Sequence, residues 1–344
     1  MSQPIATIII PNYNGMKYLP ELLSSLRRQS DLRFVITIVD DQSTDESAAY
    51  TRGSWPEVRL IVNETNLGFA GTCNAGMQAA RTPFVVLLNN DTHVDEQWFA
   101  EGIRAFGSGG ESNEIGEGSG DVGSVASLVL LAEPPNLIDT AGDAYSVVGG
   151  AMKRNHLLPR ETAETLPRDC FSASGASAFY RREGVERAGY LDERFESYYE
   201  DVDLGFRLAW AGYRCRFAAR SICYHHLSSS YSPKGWKYHF NSARNSEIVW
   251  RANMPEFLIK RYASSRRLFL AMQAANKLRQ GCLRAWLAGK RAARLAGQLI
   301  EEKRSRLPLS DAVAAQRVAS MLEKDWLALH VGSGSRSRRR CVQA

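Results

Sequence analysis

The chain has no CxxC pair: its six cysteines (Cys73, Cys170, Cys215, Cys223, Cys282 and Cys341) are scattered through 344 residues. This spacing argues against both a disulfide framework and a cysteine zinc site, and reduced thiols are expected. Long hydrophobic runs are also missing. No uncharged apolar stretch approaches the ~18 residues of a membrane span. The first residues, MSQPIATIII, lack the basic start, apolar core and cleavage site of a secretory signal. A soluble cytoplasmic protein is the expectation, with peripheral attachment to the inner face of the cytoplasmic membrane kept open. No internal repeat is visible. The net charge of +6 is small because two regions offset each other. Residues 251–344 hold 20 Lys/Arg against 6 Asp/Glu, whereas residues 1–250 hold 23 against 31. An acidic front and a basic rear argue against a uniformly basic nucleic-acid binder, so no nucleic-acid partner is expected.

What is present is an alternation of strand-like and helix-like segments. ATIII (6–10), FVITIV (34–39), VRLIV (58–62) and FVVLL (84–88) are continuous apolar runs. Segments such as MKYLPELLSSLRRQ (16–29) between them have helical spacing. Buried apolar strands alternating with helices predict an α/β fold, a mostly parallel sheet covered on both faces. Ligands bind such sheets at the carboxyl ends of the strands. The residues there are Asn12–Asn14, Asp40–Asp41, Asn63–Asn66 and Asn89–Asp91, four polar clusters on one rim. GSGGESNEIGEGSG (107–120) predicts a mobile surface loop. VGSVASLVLL (122–131) and YRCRFAARSICYHH (213–226) resume strand character. From about residue 250 the pattern is helical. The expected division is therefore 1–250, a basic amphipathic helical region at 251–331, and a disordered basic tail at 332–344.

The densest chemical signal is YYEDVDLGFRLAWAGYR (198–214), where Glu200, Asp201 and Asp203 crowd the start of an amphipathic helix. Like charges this close need solvent, a cation or a proton to abstract. A capping box of Ser197 with Glu200 accounts for Glu200. It leaves Asp201 and Asp203 unexplained, along with the aromatics Phe195, Tyr198 and Tyr199. An Asp at a helix start walled by aromatics suits a general base. A second capping box, Ser43 with Glu46, is expected to open a short helix. Asp91, after a buried strand, suits a hard divalent cation, although a lone Asp there is commonly a turn former. Asp40 and Asp41 suit nucleoside recognition or a plain strand-to-helix loop. Asn66, Gly68 and Gly71 allow close approach of a ligand, or simply turn the chain. Of the adjacent His225 and His226, at most one faces a given side of a strand.

Together these strings resemble family 2 glycosyltransferases with the GT-A fold. The likeness rests on TIIIPNYNG (7–15), VDDQSTD (39–45), NLGFAGTCNAG (66–76), LLNNDT (87–92), SGASAFYRREGVERAGYLDERF (174–195), YYEDVDLGFRLAWAGYR, and YHH with the later Arg244-Asn245. Within that family the strings are most similar to rhamnosyltransferase-type enzymes of bacterial cell-surface polysaccharide synthesis. The resemblance implies a nucleoside pocket lined by Pro11, Tyr13, Asp40 and Asp41, with Asp40 on the pyrimidine base. Asn66 and Gly68 would border the nucleotide. Asn89-Asn90-Asp91 would occupy the DxD position, Asn90 near the nucleotide and Asp91 as metal ligand with His225. Glu200-Asp201 would be the ED pair, with Asp201 the base; Glu200 and Asp203 would orient the acceptor or cap and brace the helix, and Tyr199 would orient the acceptor. The chain departs from the strict DxD pattern by an Asn in place of the first Asp, which implies weaker, substrate-assisted metal binding.

The implied activity is inverting transfer of a sugar from a dTDP- or UDP-linked donor to a hydroxyl of a glycan or lipid-linked acceptor, with Mg²⁺ or Mn²⁺ as cofactor. L-Rhamnose is the sugar suggested by the subgroup. The basic rear reads as a solvated surface, as helices lying on an anionic membrane, or as a homo-oligomer contact, with the membrane reading favoured. Two other functions compete. A nucleotidyltransferase needs a basic Gly-rich phosphate loop after the first strand, and PNYNG has no basic residue before Lys17. A non-catalytic membrane-associated nucleotide-sugar-binding protein would not need Asp91, Asp201 and His225 together.

Overall fold

The computed structural model describes residues 3–107, 120–227 and 235–332. The loop expected at 107–120 and the tail expected at 332–344 fall almost entirely outside these residues. In chain order the first part comprises β1 (Ala6–Asn12), α1 (Leu19–Arg27), β2 (Phe34–Asp40), α2 (Ser47–Ser54), β3 (Arg59–Val62), α3 (Gly68–Ala79), β4 (Phe84–Leu88), β5 (Thr92–Val94) and α4 (Trp98–Gly107). There follow β6 (Val122–Leu131), β7 (Ile138–Thr140), β8 (Asp143–Tyr145), β9 (Ala151–Lys153), β10 (Asp169–Cys170), β11 (Ser177–Arg181), α5 (Arg182–Ala188), α6 (Glu200–Trp210) and β12 (Arg214–His225).

The main sheet runs β10-β12-β6-β11-β4-β1-β2-β3, with β5 on β12 and β7 on β6. Strands β1 to β4 pair in parallel, as their uninterrupted apolar sequences require. Ile8, Ile9 and Ile10 of β1 have no exposed surface, each burial contributing about 1.5–3 kcal/mol. Two cores flank the sheet, one around α1 and α4 and one around α3 and α6. The sheet is mixed, because β11 inserts antiparallel between β4 and β6. That reversal could not be read from apolar runs, which look alike in either direction.

The chain divides into two compact units. The first holds residues 1–142 and 153–228, and the second holds 143–152 and 229–344. The division falls before the expected boundary at 250 because α7 (Trp236–Asn253) packs with later helices. Those are α8 (Glu256–Arg261), α9 (Ala263–Arg279), α10 (Leu283–Leu295), α11 (Gly297–Ser305) and α12 (Ala312–Ser320). In α7, Ala243, Ile248, Val249 and Ala252 are buried, and α7 packs on α10 and α11. Glu247 accepts from Arg266 at 2.5 Å and Lys290 at 3.1 Å. Burial pulls Lys290 down to about 8 even though Glu247 opposes it.

The second unit also holds the β8–β9 hairpin up to Met152. Tyr145 O accepts from Glu323 N at 2.8 Å, Val147 N donates to Glu323 O at 3.0 Å, and Ser146 Oγ pairs with His330 Nε2 at 3.0 Å. Tyr145, Val147 and Val148 are fully buried. No helix among the described residues is long and apolar enough to cross a membrane.

Candidate functional site

The parallel register brings the four polar clusters side by side. Asn12 Nδ2 donates to Asp40 Oδ2 at 2.8 Å, and Asn90 Nδ2 donates to Asn12 Oδ1 at 3.0 Å. One strand over, Asn63 Nδ2 donates to Asp41 Oδ1 at 2.8 Å. Asp41 also accepts from the backbone of Leu67 (2.8 Å) and Gly68 (2.9 Å), so it satisfies the start of α3. Gly68 has φ +69°, a left-handed turn that glycine adopts without strain. Asn66 Nδ2 closes this loop onto Asp41 O at 3.1 Å.

Asp40 is 2% exposed, and its other oxygen accepts from Ser43 N at 3.0 Å. Through Asn12 and the Ser43 backbone it braces the rim from below. Pro11 is buried, whereas Tyr13 is 48% exposed and offers an open ring at the same strand end. The expected Ser43–Glu46 capping box does not form. Ser43 Oγ accepts from Asn14 N, and Asp45 receives Ser47 N at the start of α2.

The approach to α6 differs from the expected capping box. Its N-cap is Tyr199, with no side-chain cap bond, and Glu196, Tyr198 and Tyr199 all have left-handed φ between +62° and +72°. Such backbone costs about 1–3 kcal/mol per residue and concentrates at functional sites. With the cap absent, Glu200 loses the structural role its spacing suggested. Its carboxyl is buried, Oε2 has no hydrogen-bond partner, and burial followed by the Asp201 charge pushes its pKa up to about 8. Asp201 is half-buried and accepts from Gly175 N at 3.1 Å and Val202 N at 2.8 Å. Burial raises its pKa, and these two backbone bonds resist the rise. Asp203 is fully buried and paired with Arg207 at 2.8 Å. With no exposed surface and an ion pair one turn along, Asp203 is placed as a brace within α6, the second of the two roles expected of it.

On the other side of the rim, His225 bridges two carboxylates. Its Nε2 lies 3.2 Å from Asp91 Oδ1 and its Nδ1 lies 3.1 Å from Asp139 Oδ2. Burial lowers the imidazole pKa, but the bonds to Asp139 and Asp91 outweigh burial and hold it near 9. His226 points away, as strand alternation requires. Asp139 in turn holds Lys153 Nζ at 2.6 Å. Burial works against its charge, yet His225 and Lys153 keep its carboxyl well below the usual range. Lys153 also lowers the Asp201 pKa electrostatically. A line of alternating charge thus runs from Asp201 through Lys153, Asp139 and His225 to Asp91. The sequence reading missed both Asp139 and Lys153. Each sits in a three-residue strand within an irregular region, where no periodicity or motif marks it.

This geometry fits a divalent cation. A metal-ligating imidazole commonly donates its second ring N–H to a carboxylate, and Asp139 supplies that carboxylate while Nε2 faces Asp91. Asn89 Oδ1, two residues before Asp91, is buried with no hydrogen-bond partner. Asp91 and His225 are therefore the residues that could hold the ion. Asp139→Asn should lower Mn²⁺ affinity by roughly 10–100-fold with the fold intact, as loss of such an orienting partner does; Mn²⁺ titration followed by electron paramagnetic resonance checks it.

Comparison with known proteins agrees with this architecture. The chain is 27% identical over 247 residues to the N-acetylglucosaminyl-diphospho-decaprenol L-rhamnosyltransferase of Mycobacterium tuberculosis, covering 66% of this chain and 77% of that protein. It is 27% identical over 237 residues to the O-antigen biosynthesis protein RfbC of Myxococcus xanthus, covering 66% of this chain but 18% of that much longer relative. Among solved structures, the mannosyltransferase PcManGT from Pyrobaculum calidifontis, in complex with GDP-Man and Mn²⁺, superposes with a TM-score of 0.53 at 18% identity. The match covers 92% of this chain and 86% of that one. GalNAc-T7 with UDP, GalNAc and Mn²⁺ superposes with a TM-score of 0.56 at 14% identity, covering 89% and 58%. Residues 7–189 match the sequence profile of glycosyl transferase family 2, and that stretch carries β1 to β4, the rim and Asp91: the chain belongs to this family and is a glycosyltransferase of the GT-A fold.

Proposed function

We propose that the protein is an inverting, metal-dependent glycosyltransferase acting on a nucleoside-diphosphate sugar and a hydroxyl of a glycan or lipid-linked glycan. The observation that carries this reading is the line of charge joining Asp201 to Asp91 through Lys153, Asp139 and His225. Mg²⁺ or Mn²⁺, when held by Asp91 and His225, supplies positive charge to a departing diphosphate. Asp201 takes the acceptor proton, and its raised pKa strengthens it as a base near neutral pH. Glu200 keeps its own proton up to about pH 8 and so spares Asp201 a second adjacent negative charge. Tyr13 offers its ring to the nucleoside, and the loop held by Asp41 and Asn66 lets Gly68 approach it closely. Tyr199, at the left-handed turn into α6, borders the acceptor.

A dTDP- or UDP-linked donor with L-rhamnose as the sugar is favoured by the likeness to the mycobacterial rhamnosyltransferase. Peripheral attachment to an anionic membrane is supported by Leu268, Leu278 and Leu295, which are exposed among the basic residues of α9 and α10. Thermal-shift screening against dTDP-, UDP- and GDP-sugars with Mn²⁺ tests the donor. The true donor at a hundredfold excess over its Kd should stabilise by about 2.7 kcal/mol. Pyrophosphate release from a nucleoside triphosphate, with no donor stabilising, would instead establish a nucleotidyltransferase.

A further inference from the structure

The histidine that turns away from Asp91 has surroundings of its own. His226 Nε2 lies 3.3 Å from Glu21 Oε2, and His93 Nδ1 lies 3.4 Å from Glu21 Oε1. All three ligating atoms fall within 4.8 Å of one another, the one grouping of three or more such side chains among the described residues. Neither ring nitrogen has a properly directed hydrogen bond, although both are buried. The rings are fixed from behind: His93 stacks on Tyr224 at 4.8 Å, and His226 packs on Tyr18 at 4.9 Å.

We propose that Glu21, His93 and His226 form a second metal site, distinct from the Asp91–His225 centre and suited to Zn²⁺. Two imidazoles and one carboxylate are the ligand set of a borderline ion, whereas Mg²⁺ prefers oxygen alone. In a tetrahedral site with bonds of about 2.0–2.2 Å, neighbouring ligand atoms stand about 3.4 Å apart. The 3.4 and 3.3 Å carboxylate-to-imidazole separations lie close to that edge, each made by a different Glu21 oxygen, so a small turn of this exposed carboxylate brings one oxygen to both imidazoles. Three protein ligands leave the fourth position to water.

The ion would clamp the first turn of α1 to β5 and to the end of β12. It would also sit one or two residues from both members of the other centre. His226 N donates to Asp91 O at 2.9 Å, so the same backbone carries both sites. Zn²⁺ bound here fixes the positions of Asp91 and His225 without touching either side chain.

The test is Zn²⁺ binding to the full chain with Mg²⁺ in large excess, followed by equilibrium dialysis with metal analysis and by melting temperature. Wild type should retain one equivalent of Zn²⁺ and melt higher with it. Glu21→Gln and His93→Gln should each weaken binding roughly tenfold or more, since even loss of an outer-shell partner costs that much. Asp91→Ala should keep the equivalent. Glu21 is exposed at the surface, so its substitution is not expected to disturb folding. No Zn²⁺ retained by wild type, or equal retention by wild type, Glu21→Gln and His93→Gln, overturns the proposal. Either result leaves the glycosyl-transfer reading untouched.

Discussion

Asp201→Asn is expected to reduce sugar transfer by roughly 10²–10⁴-fold while donor binding survives, because it removes the proton acceptor. Asn is nearly isosteric, but Gly175 N and Val202 N donate to different Asp201 oxygens, so Asn keeps one of these bonds and a melting-temperature check shows whether α6 holds its position. Single-turnover transfer together with donor titration separates the two effects. Wild-type-like transfer in Asp201→Asn would sink the assignment, and an inactive Glu200→Gln beside it would move the base by one residue.

Glu200→Gln has its own signature in stability. The Glu200 carboxyl has a folded pKa near 8 against an unfolded value near 4.5. Between those values the unfolded chain binds fewer protons than the folded one. Stability is therefore fully present below about pH 4.5 and is lost as pH rises through about 8. Glu200→Gln should flatten that decline in pH-dependent denaturation, and Asp201→Asn should lessen it by removing the neighbouring charge.

Asp91→Ala should abolish metal-dependent nucleotide binding. It should also lower kcat/KM about a thousandfold or more, corresponding to the several kcal/mol that a cation supplies to a departing diphosphate. With no metal bound, His225 holds its proton up to about pH 9 between Asp91 and Asp139. An arriving ion must displace that proton, so metal affinity in wild type should climb as pH approaches 9. In Asp91→Ala the imidazole loses one of its two anionic neighbours, and residual binding should respond to pH at lower values. Isothermal titration with Mn²⁺ across pH measures both effects. Turnover by wild type that is indifferent to EDTA would count decisively against a metal role.

The fold was legible where burial is two-sided. Strands β1 to β4 show themselves as apolar runs because both faces of the sheet are covered, and their polar ends marked the rim in advance. Motif spacing had also singled out Asp91, His225 and Asp201, which fall on one line of charge. Two kinds of feature stayed hidden. Both proposed capping boxes had the right spacing and failed, because the pattern is silent about backbone dihedrals. Tyr199 takes a left-handed φ that no Ser-x-x-Glu string announces. Asp139 and Lys153 lie 14 residues apart and meet at 2.6 Å only because β7 joins the sheet edge while β9 pairs with β8. Proximity of that kind comes from tertiary folding and leaves no periodic trace. The compositional boundary near 250 falls after the division between compact units at 228, since α7 carries a mixed surface but buries its apolar face with the later helices.

The β8–β9 hairpin has a consequence for how the protein is made. A ribosome delivers Tyr145, Val147 and Val148 long before it delivers Glu323, which bonds Tyr145 and Val147, about 175 residues further on. At ~5–20 residues per second, the hairpin waits on the order of 10–35 s for those partners to emerge. During translation it is a nascent apolar segment, exposed to chaperones and to neighbouring chains. A chain terminated at residue 228 would remain in that state permanently. The basic helices are thus a late-arriving half of one folding unit, and trimming them to isolate the transferase is expected to yield inclusion bodies.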